Sequence, residues 1–399
     1  MAERSIILGD IHLGKSVASL GKSGVGNTLN SRLVDQLNIL DWTLDRCVRE
    51  EVSNLILTGD IFEDPKPHPT IITLFVSWIK KCTDNGIKVH IISGNHDILR
   101  TGQFYASALD IILAADIEDV FIYRHINTIH TRGASFTLMP FRDRRSFNMD
   151  SNAQAIISLR SKLPYELAEI EAGQAKIIVG HLAIEGSIFV GDEIDNISNE
   201  LFCPLDMFNG YDYVWMGHIH KPQVMSKSPY ISHIGSMDLS DFGEADHKKV
   251  IVIIDPDKSE PYRYIEIPSR PLKQVSISVP IGIENTTNYV IENLNKETFN
   301  KAIVRLNILL DSPELLSVDR TIIEKHLTSM GAFHITRISE EKKVALLKKD
   351  ATSESLDNTV NEKTAVKMYA DANIEEKSRE NFVSLATSII TECFEKDIK

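Results

Sequence analysis

Ser5-Ile6-Ile7-Leu8-Gly9-Asp10-Ile11-His12 is a short apolar run that ends in glycine and then offers a carboxylate and an imidazole. A run this short and rich in isoleucine reads as a buried strand. The pattern recurs down the chain. Residues 54–57 lead into Gly59-Asp60, 89–92 into Ser93-Gly94-Asn95-His96-Asp97, 176–179 into Gly180-His181, and 213–216 into Gly217-His218-Ile219-His220. Residues 250–254 form a further strand candidate. Between the first three runs lie amphipathic stretches, 32–49 and 70–85, in the first of which Leu33, Leu37, Leu40, Leu44 and Val48 recur at helical spacing. Strands alternating with helices predict α/β layering. In an open α/β sheet the carboxyl ends of the strands share one edge, so all five clusters are expected to meet there.

Each cluster alone is weak, because a lone Gly-Asp or Gly-His is usually a turn. Together they specify a chemistry. Glycine lets a chain leaving a buried strand turn sharply and come close to an ion. Imidazole and hard oxygen donors suit Mn, Mg, Fe or Zn, and the lack of thiolates argues against a structural zinc site. A carboxylate between two imidazole groups can bridge two cations, which in two-metal sites lie roughly 3.5–4 Å apart.

The order Asp-x-His, Gly-Asp, Gly-Asn-His-Asp, Gly-His and Gly-His-x-His resembles the calcineurin-like metallophosphoesterases. The resemblance implies a β-sandwich flanked by helices. It also implies that Asp10, His12 and His220 hold one metal and Asn95, His181 and His218 the other, with Asp60 bridging. His96 would sit over the scissile phosphate, and Asp97 would orient it. Within the superfamily the chain is most similar to SbcD-type nuclease subunits of DNA double-strand-break repair and recombination complexes, phage relatives included. That narrower match rests on the long loop between His12 and Arg32, on Gly235-Ser236-Met237 through Asp241-Phe242-Gly243-Glu244, and on the domain layout. It implies two Mn ions (Mg as the alternative), a DNA substrate, exonuclease activity with endonuclease activity on structured ends, a coiled-coil SbcC-type ATPase partner, and a homodimer.

At 399 residues the chain exceeds one ordinary domain. The expected division is a nuclease domain over 1–268, a small α+β capping domain over 269–345 that positions DNA, a polar linker over 346–372, and a helical segment over 373–399. In the last, Phe382, Leu385, Ala386, Ile389, Ile390 and Cys393 share a face that would dock the ATPase. Cys47, Cys82, Cys203 and Cys393 have no paired spacing and read as reduced thiols. With no signal-like or membrane-length apolar run, the reading is a soluble intracellular protein.

Lys and Arg number 43 against 56 Asp and Glu, a formal charge of −13 that opposes non-specific attraction to nucleic acid. Bound divalent cations would offset part of it. Arg142, Arg144 and Arg145, after Met139-Pro140-Phe141, are read as candidate phosphate contacts in the substrate groove, and His233 as a candidate substrate contact in a loop bordering the site. The stretch 14–23 lacks the spacing of a phosphate-binding loop. Two rivals share these ligands: a phosphatase or small-nucleotide phosphodiesterase, and a silent scaffold.

Overall fold

The structure is a computed structural model and describes residues 2–15, 20–21, 29–101, 104–189, 200–312 and 314–342, with Ala370, Arg379 and 382–386. Its main strands are β1 (Arg4–Leu8), β2 (Val52–Leu57), β3 (Lys88–Ile92), β4 (Val120–Tyr123), β5 (Asn127–His130), β6 (Ala134–Met139), β7 (Ala175–Gly180), β8 (Tyr213–Met216), β9 (Gln223–Lys227), β10 (Tyr230–His233), β11 (Val250–Ile254) and β12 (Tyr262–Glu266). They form two six-stranded sheets, in the orders β12-β11-β1-β2-β3-β4 and β9-β10-β8-β7-β6-β5. The central pairs β1–β2, β2–β3 and β7–β8 are parallel.

Alternation along the strands assigns each side chain to a layer. Ile6 and Leu8, Leu55 and Leu57, and Val89 and Ile91 pack under α1 (Ser31–Arg49) and α2 (Pro69–Asp84). Ile7, Ile56 and Ile92 face the other way and meet Phe136, Leu138, Val179 and Trp215 of the second sheet. That sheet buries Ile178, Val214 and Met216 on its far side against Leu159 and Leu163, which belong to α4 (Asn152–Arg160) and α5 (Leu163–Ala168); α3 (Leu109–Ala114) packs on β4. The layers are therefore helix, sheet, sheet, helix. Strands covered on both faces read as continuous apolar runs, which is why they stand out in the sequence.

Helix α1 begins where the Asn30 side chain accepts the Arg32 N–H at 2.8 Å. Its buried stripe runs through Leu33, Leu40, Leu44 and Cys47, while Val48, expected on that stripe, is half exposed. Helix α2 starts with proline at its first position, where a missing N–H costs nothing.

Beyond Pro271 lie three parallel strands, β13 (Leu272–Val279), β14 (Ile303–Leu310) and β15 (His334–Lys342), linked by α6 (Thr286–Leu294) and α7 (Arg320–Ser329). They enclose a core of their own: Ile277, Val279, Leu306, Ile308 and Leu310 pack against Val290, Leu294, Ile323 and Leu327. A smaller cluster of Leu20, Leu239, Phe242, Leu272 and Ile303 joins this sheet to the sandwich. The polar linker and the helical segment expected after residue 345 fall mainly outside the described residues; Ala370, Arg379 and 382–386 are helical. No helix among the described residues is long and apolar enough to cross a membrane.

Candidate metal centre

The five clusters do meet, but at the joint edge of two facing sheets rather than on one open sheet. Asp10 and His12 follow β1, Asp60 follows β2, and Asn95 and His96 follow β3; His181 follows β7, and His218 and His220 follow β8. His12, Asp60 and His218 have φ of 47°, 45° and 76°. Left-handed backbone costs energy for residues with a Cβ, and three such residues at one site mark a conformation enforced by its surroundings. The glycines serve close approach. A Cβ on Gly94 would lie 2.1 Å from Asp60 Oδ1, and one on Gly217 would lie 2.2 Å from Asp10 Oδ1.

The donor atoms form two groups. Asp10, His12 and His220 make the first. In the second, Asn95 Oδ1 lies 2.9 Å from both His181 Nε2 and His218 Nδ1. Asp60 Oδ2 faces both groups, 3.5 Å from His12 Nε2 and 3.3 Å from His181 Nε2. The remaining ring nitrogens point at acceptors. His181 Nδ1 lies 3.0 Å from the Thr58 carbonyl, His218 Nε2 3.0 Å from Glu200, His12 Nδ1 2.7 Å from Glu63, and His220 Nδ1 3.4 Å from Glu244.

This arrangement fixes the tautomers. With each ring proton directed outward, the inward nitrogens present lone pairs to one another, as at His12 Nε2 and His220 Nε2, which are 3.0 Å apart. Converging lone pairs repel unless positive charge lies among them. Metal-binding histidines are oriented in this same way, one nitrogen inward and the other donating to a carboxylate or carbonyl. Electrostatics agree. Burial opposes charge on Asp60 and Asp10, yet His181 outweighs it and holds both carboxyls below their ordinary range, Asp60 well below. Burial likewise disfavours a charged His181, but Asp60 and Asp10 raise its pKa well above normal. The donors fit divalent cations.

A profile of the family described as calcineurin-like phosphoesterases matches residues 4–222. The chain belongs to that family. Among curated proteins it is similar to the SbcD component of the SbcCD nuclease from Staphylococcus epidermidis, 23% identical over 80% of this chain and 94% of that one. A second protein of the same name, from Staphylococcus saprophyticus subsp. saprophyticus, is 26% identical over 69% of this chain and 74% of that one. The solved structure of a dimetal phosphatase from Danio rerio covers 63% of this chain and 91% of its own, at 11% identity and a TM-score of 0.40.

Three expectations for this phosphoesterase need correction. Asp97 does not reach the His96 ring. It is fully buried and accepts backbone N–H groups from Gly94, Ile61 and Phe62, tying the loops after β2 and β3 together. Burial and the nearby Asp60 raise its pKa to about 7. The Glu63 carbonyl orients His96 instead, 2.8 Å from Nδ1, and the His96 N–H donates to Asp60 at 2.8 Å.

His233 is the last residue of β10 and is buried, its ring between the Gly217 carbonyl and the Ser187 hydroxyl. Burial lowers its pKa to about 3, so it is a neutral prop for the turn that carries His218. The arginines also diverge. Arg142 donates to the carbonyls of Phe141 and Arg124, Arg144 bonds the Asp150 carbonyl at 3.4 Å, and Arg145 is exposed.

The carboxylates Glu63, Glu200 and Glu244 behind the histidines were missed. Only Glu63, three residues after Asp60, is near a recognised cluster in sequence. Lys249 is also buried beside the centre, donating to the His220 carbonyl at 2.8 Å and the Ser236 hydroxyl at 2.7 Å. A lysine at the mouth of a strand gives no sequence signal of burial.

Proposed function

We propose that this phosphoesterase is a two-metal-dependent DNA exonuclease, also cutting structured ends endonucleolytically, and the nuclease subunit beside a coiled-coil ATPase of the SbcC type. The observation that carries the catalytic part is the pair of donor groups sharing Asp60, with each histidine's second nitrogen directed to an acceptor. The printed names of the staphylococcal relatives support DNA as the substrate and an SbcC-type partner. A homodimer, docking of the ATPase on the 373–399 helix, DNA positioning by β13–β15, and an intracellular location complete the proposal.

Asp10, His12 and His220 hold one cation, Asn95, His181 and His218 the second, and Asp60 both. Divalent ions there, Mn foremost and Mg as the alternative, supply Lewis-acid activation of water and neutralise charge on the phosphodiester. His96 is half-buried, and its Nδ1 is committed to the Glu63 carbonyl, so Nε2 is left for substrate. Burial disfavours its charged form, but Asp60 and the Glu63 carbonyl prevail and raise its pKa. A proton is thereby kept on Nε2 for the leaving oxygen. Phe141 packs by the rings of His181 and His218 and shields that side from water.

The test is purified protein with Mn on linear double-stranded DNA, beside His96→Ala. Wild type should release nucleotides, and the variant should lose about 100-fold or more in rate with its bound metal unchanged. No release even with the ATPase partner, together with efficient hydrolysis of a generic phosphomonoester, would defeat the nuclease reading.

A further inference from the structure

Beside the metal centre lies an open cleft of about 390 Å³ whose lining includes Ser93, two residues before Asn95. Its volume is within the roughly 300–1,000 Å³ of small-ligand clefts. One part of the lining is cationic, with Arg142, Arg124 and Lys162 around His125. Arg124 is paired with Asp110, and Arg142 is braced by the Phe141 and Arg124 carbonyls. Lys162 is exposed and has no carboxylate partner among the described residues; its Nζ lies 5.7 Å from the centre of the Phe147 ring. Another part is apolar, formed by half-buried Phe147 and Ile98, with the hydroxyls of Ser107 and Ser146 nearby.

The charge at this place runs against the molecule as a whole. In a chain of net charge −13, three cations gather at one cleft, and Asp110 answers Arg124. His125 reports their field: burial lowers its pKa, and Arg142, Lys162 and Arg124 each lower it further. An anion is favoured here. Cations beside an aromatic ring suit a ligand that is charged at one end and planar at the other, since guanidinium and ammonium groups bind phosphate and bases stack on aromatic faces.

We propose that this cleft binds one nucleotide unit, its phosphate held by Arg142 and Lys162 and its base laid against Phe147 and Ile98. The choice of a nucleotide rests on the nuclease reading. The unit comes either from a free nucleoside monophosphate or from the 5′-phosphorylated end of a strand, and both present the same chemistry.

The experiment is calorimetric titration of the full chain in EDTA at low salt, so that its outcome does not depend on catalysis or bound metal. Thymidine 5′-monophosphate, inorganic phosphate and a 5′-phosphorylated four-nucleotide thymidine strand are the probes. Saturable binding of the nucleotide is expected. Lys162→Glu, a change at an exposed side chain, should weaken it by about tenfold or more, as loss and reversal of one charge-assisted contact requires. Phe147→Ala should weaken the nucleotide and leave inorganic phosphate unaffected, whereas Lys248→Glu, far off on an exposed ion pair with Glu266, should change nothing. Tighter binding of the strand through the same residues identifies a strand end as the source, and tighter binding of the monophosphate identifies the free nucleotide. Absence of saturable binding by either, or affinities within twofold of wild type in both cleft variants, overturns the proposal. Failure to cut DNA with Mn would defeat the nuclease reading alone.

Discussion

Each histidine of the two donor groups commits one ring nitrogen outside the centre, and three of the four outside partners are carboxylates. The carboxylate fixes the tautomer and raises the basicity of the inward nitrogen, so its removal should weaken metal binding without dismantling the fold. Glu200 gives the cleanest case, because it faces His218 Nε2 alone at 3.0 Å, whereas Glu244 is shared with Lys249 and Glu63 with Lys15. Glu200→Gln preserves the shape and removes the charge. Affinity for Mn, measured by calorimetry or by the loss of the free-ion resonance, should fall by about 10-fold or more, while the melting temperature in EDTA moves little. Unchanged Mn affinity would show that Glu200 does not set the orientation of His218.

At the scale of elements, legibility followed burial. The expected strands at 5–8, 54–57, 89–92, 176–179, 213–216 and 250–254 each lie within two residues of the observed bounds, because central strands are apolar on both faces. Strands β4, β5, β9 and β12 were not foreseen. They are outer strands, mixed in polarity, with patterns such as Val224 exposed beside half-buried neighbours. The second sheet was therefore visible only through the family resemblance. At the site, glycine-preceded donors could be read because close approach leaves a sequence mark, whereas glutamates recruited from distant loops leave none. The helices also make a prediction about thiols. Cys47 of α1 and Cys82 of α2 are fully buried under the first sheet, and Cys203 is fully buried beside the second. Burial pushes Cys47 and Cys203 up to about 12 and Cys82 higher still. Thiolate is the reactive form, so these three should resist a disulfide reagent in the native protein and react on denaturation. Rapid native labelling of any of the three, located by mass spectrometry, would contradict this packing.

For the molecule as a whole, the question is what fixes the three-stranded sheet to the catalytic sandwich. Arg270, just before β13, makes a bidentate contact to Asp35 of α1 at 2.7 and 2.6 Å and stacks 3.8 Å over Phe333. Asp35 also takes Arg32 at 2.8 Å, and Arg32 reaches Asp238 at 2.5 Å and the Leu239 carbonyl at 2.7 Å. Asp238 belongs to the same segment as Glu244, which faces His220. One buried ionic cluster thus links the accessory sheet, α1 and the support of a candidate metal ligand. Fork geometry makes such a joint directional where the small apolar cluster of Leu239, Phe242, Leu272 and Ile303 alone would allow sliding. Arg270→Ala leaves Asp35 its Arg32 partner, so the cost should be about 2–3 kcal/mol, below that of a fully orphaned buried charge. Hydrogen exchange should quicken in Leu272–Val279 while β1 keeps its protection. Equal acceleration in both strands would mean that sandwich and accessory sheet open as one cooperative unit, and no acceleration in either would mean that the apolar cluster holds the joint without the ion pair.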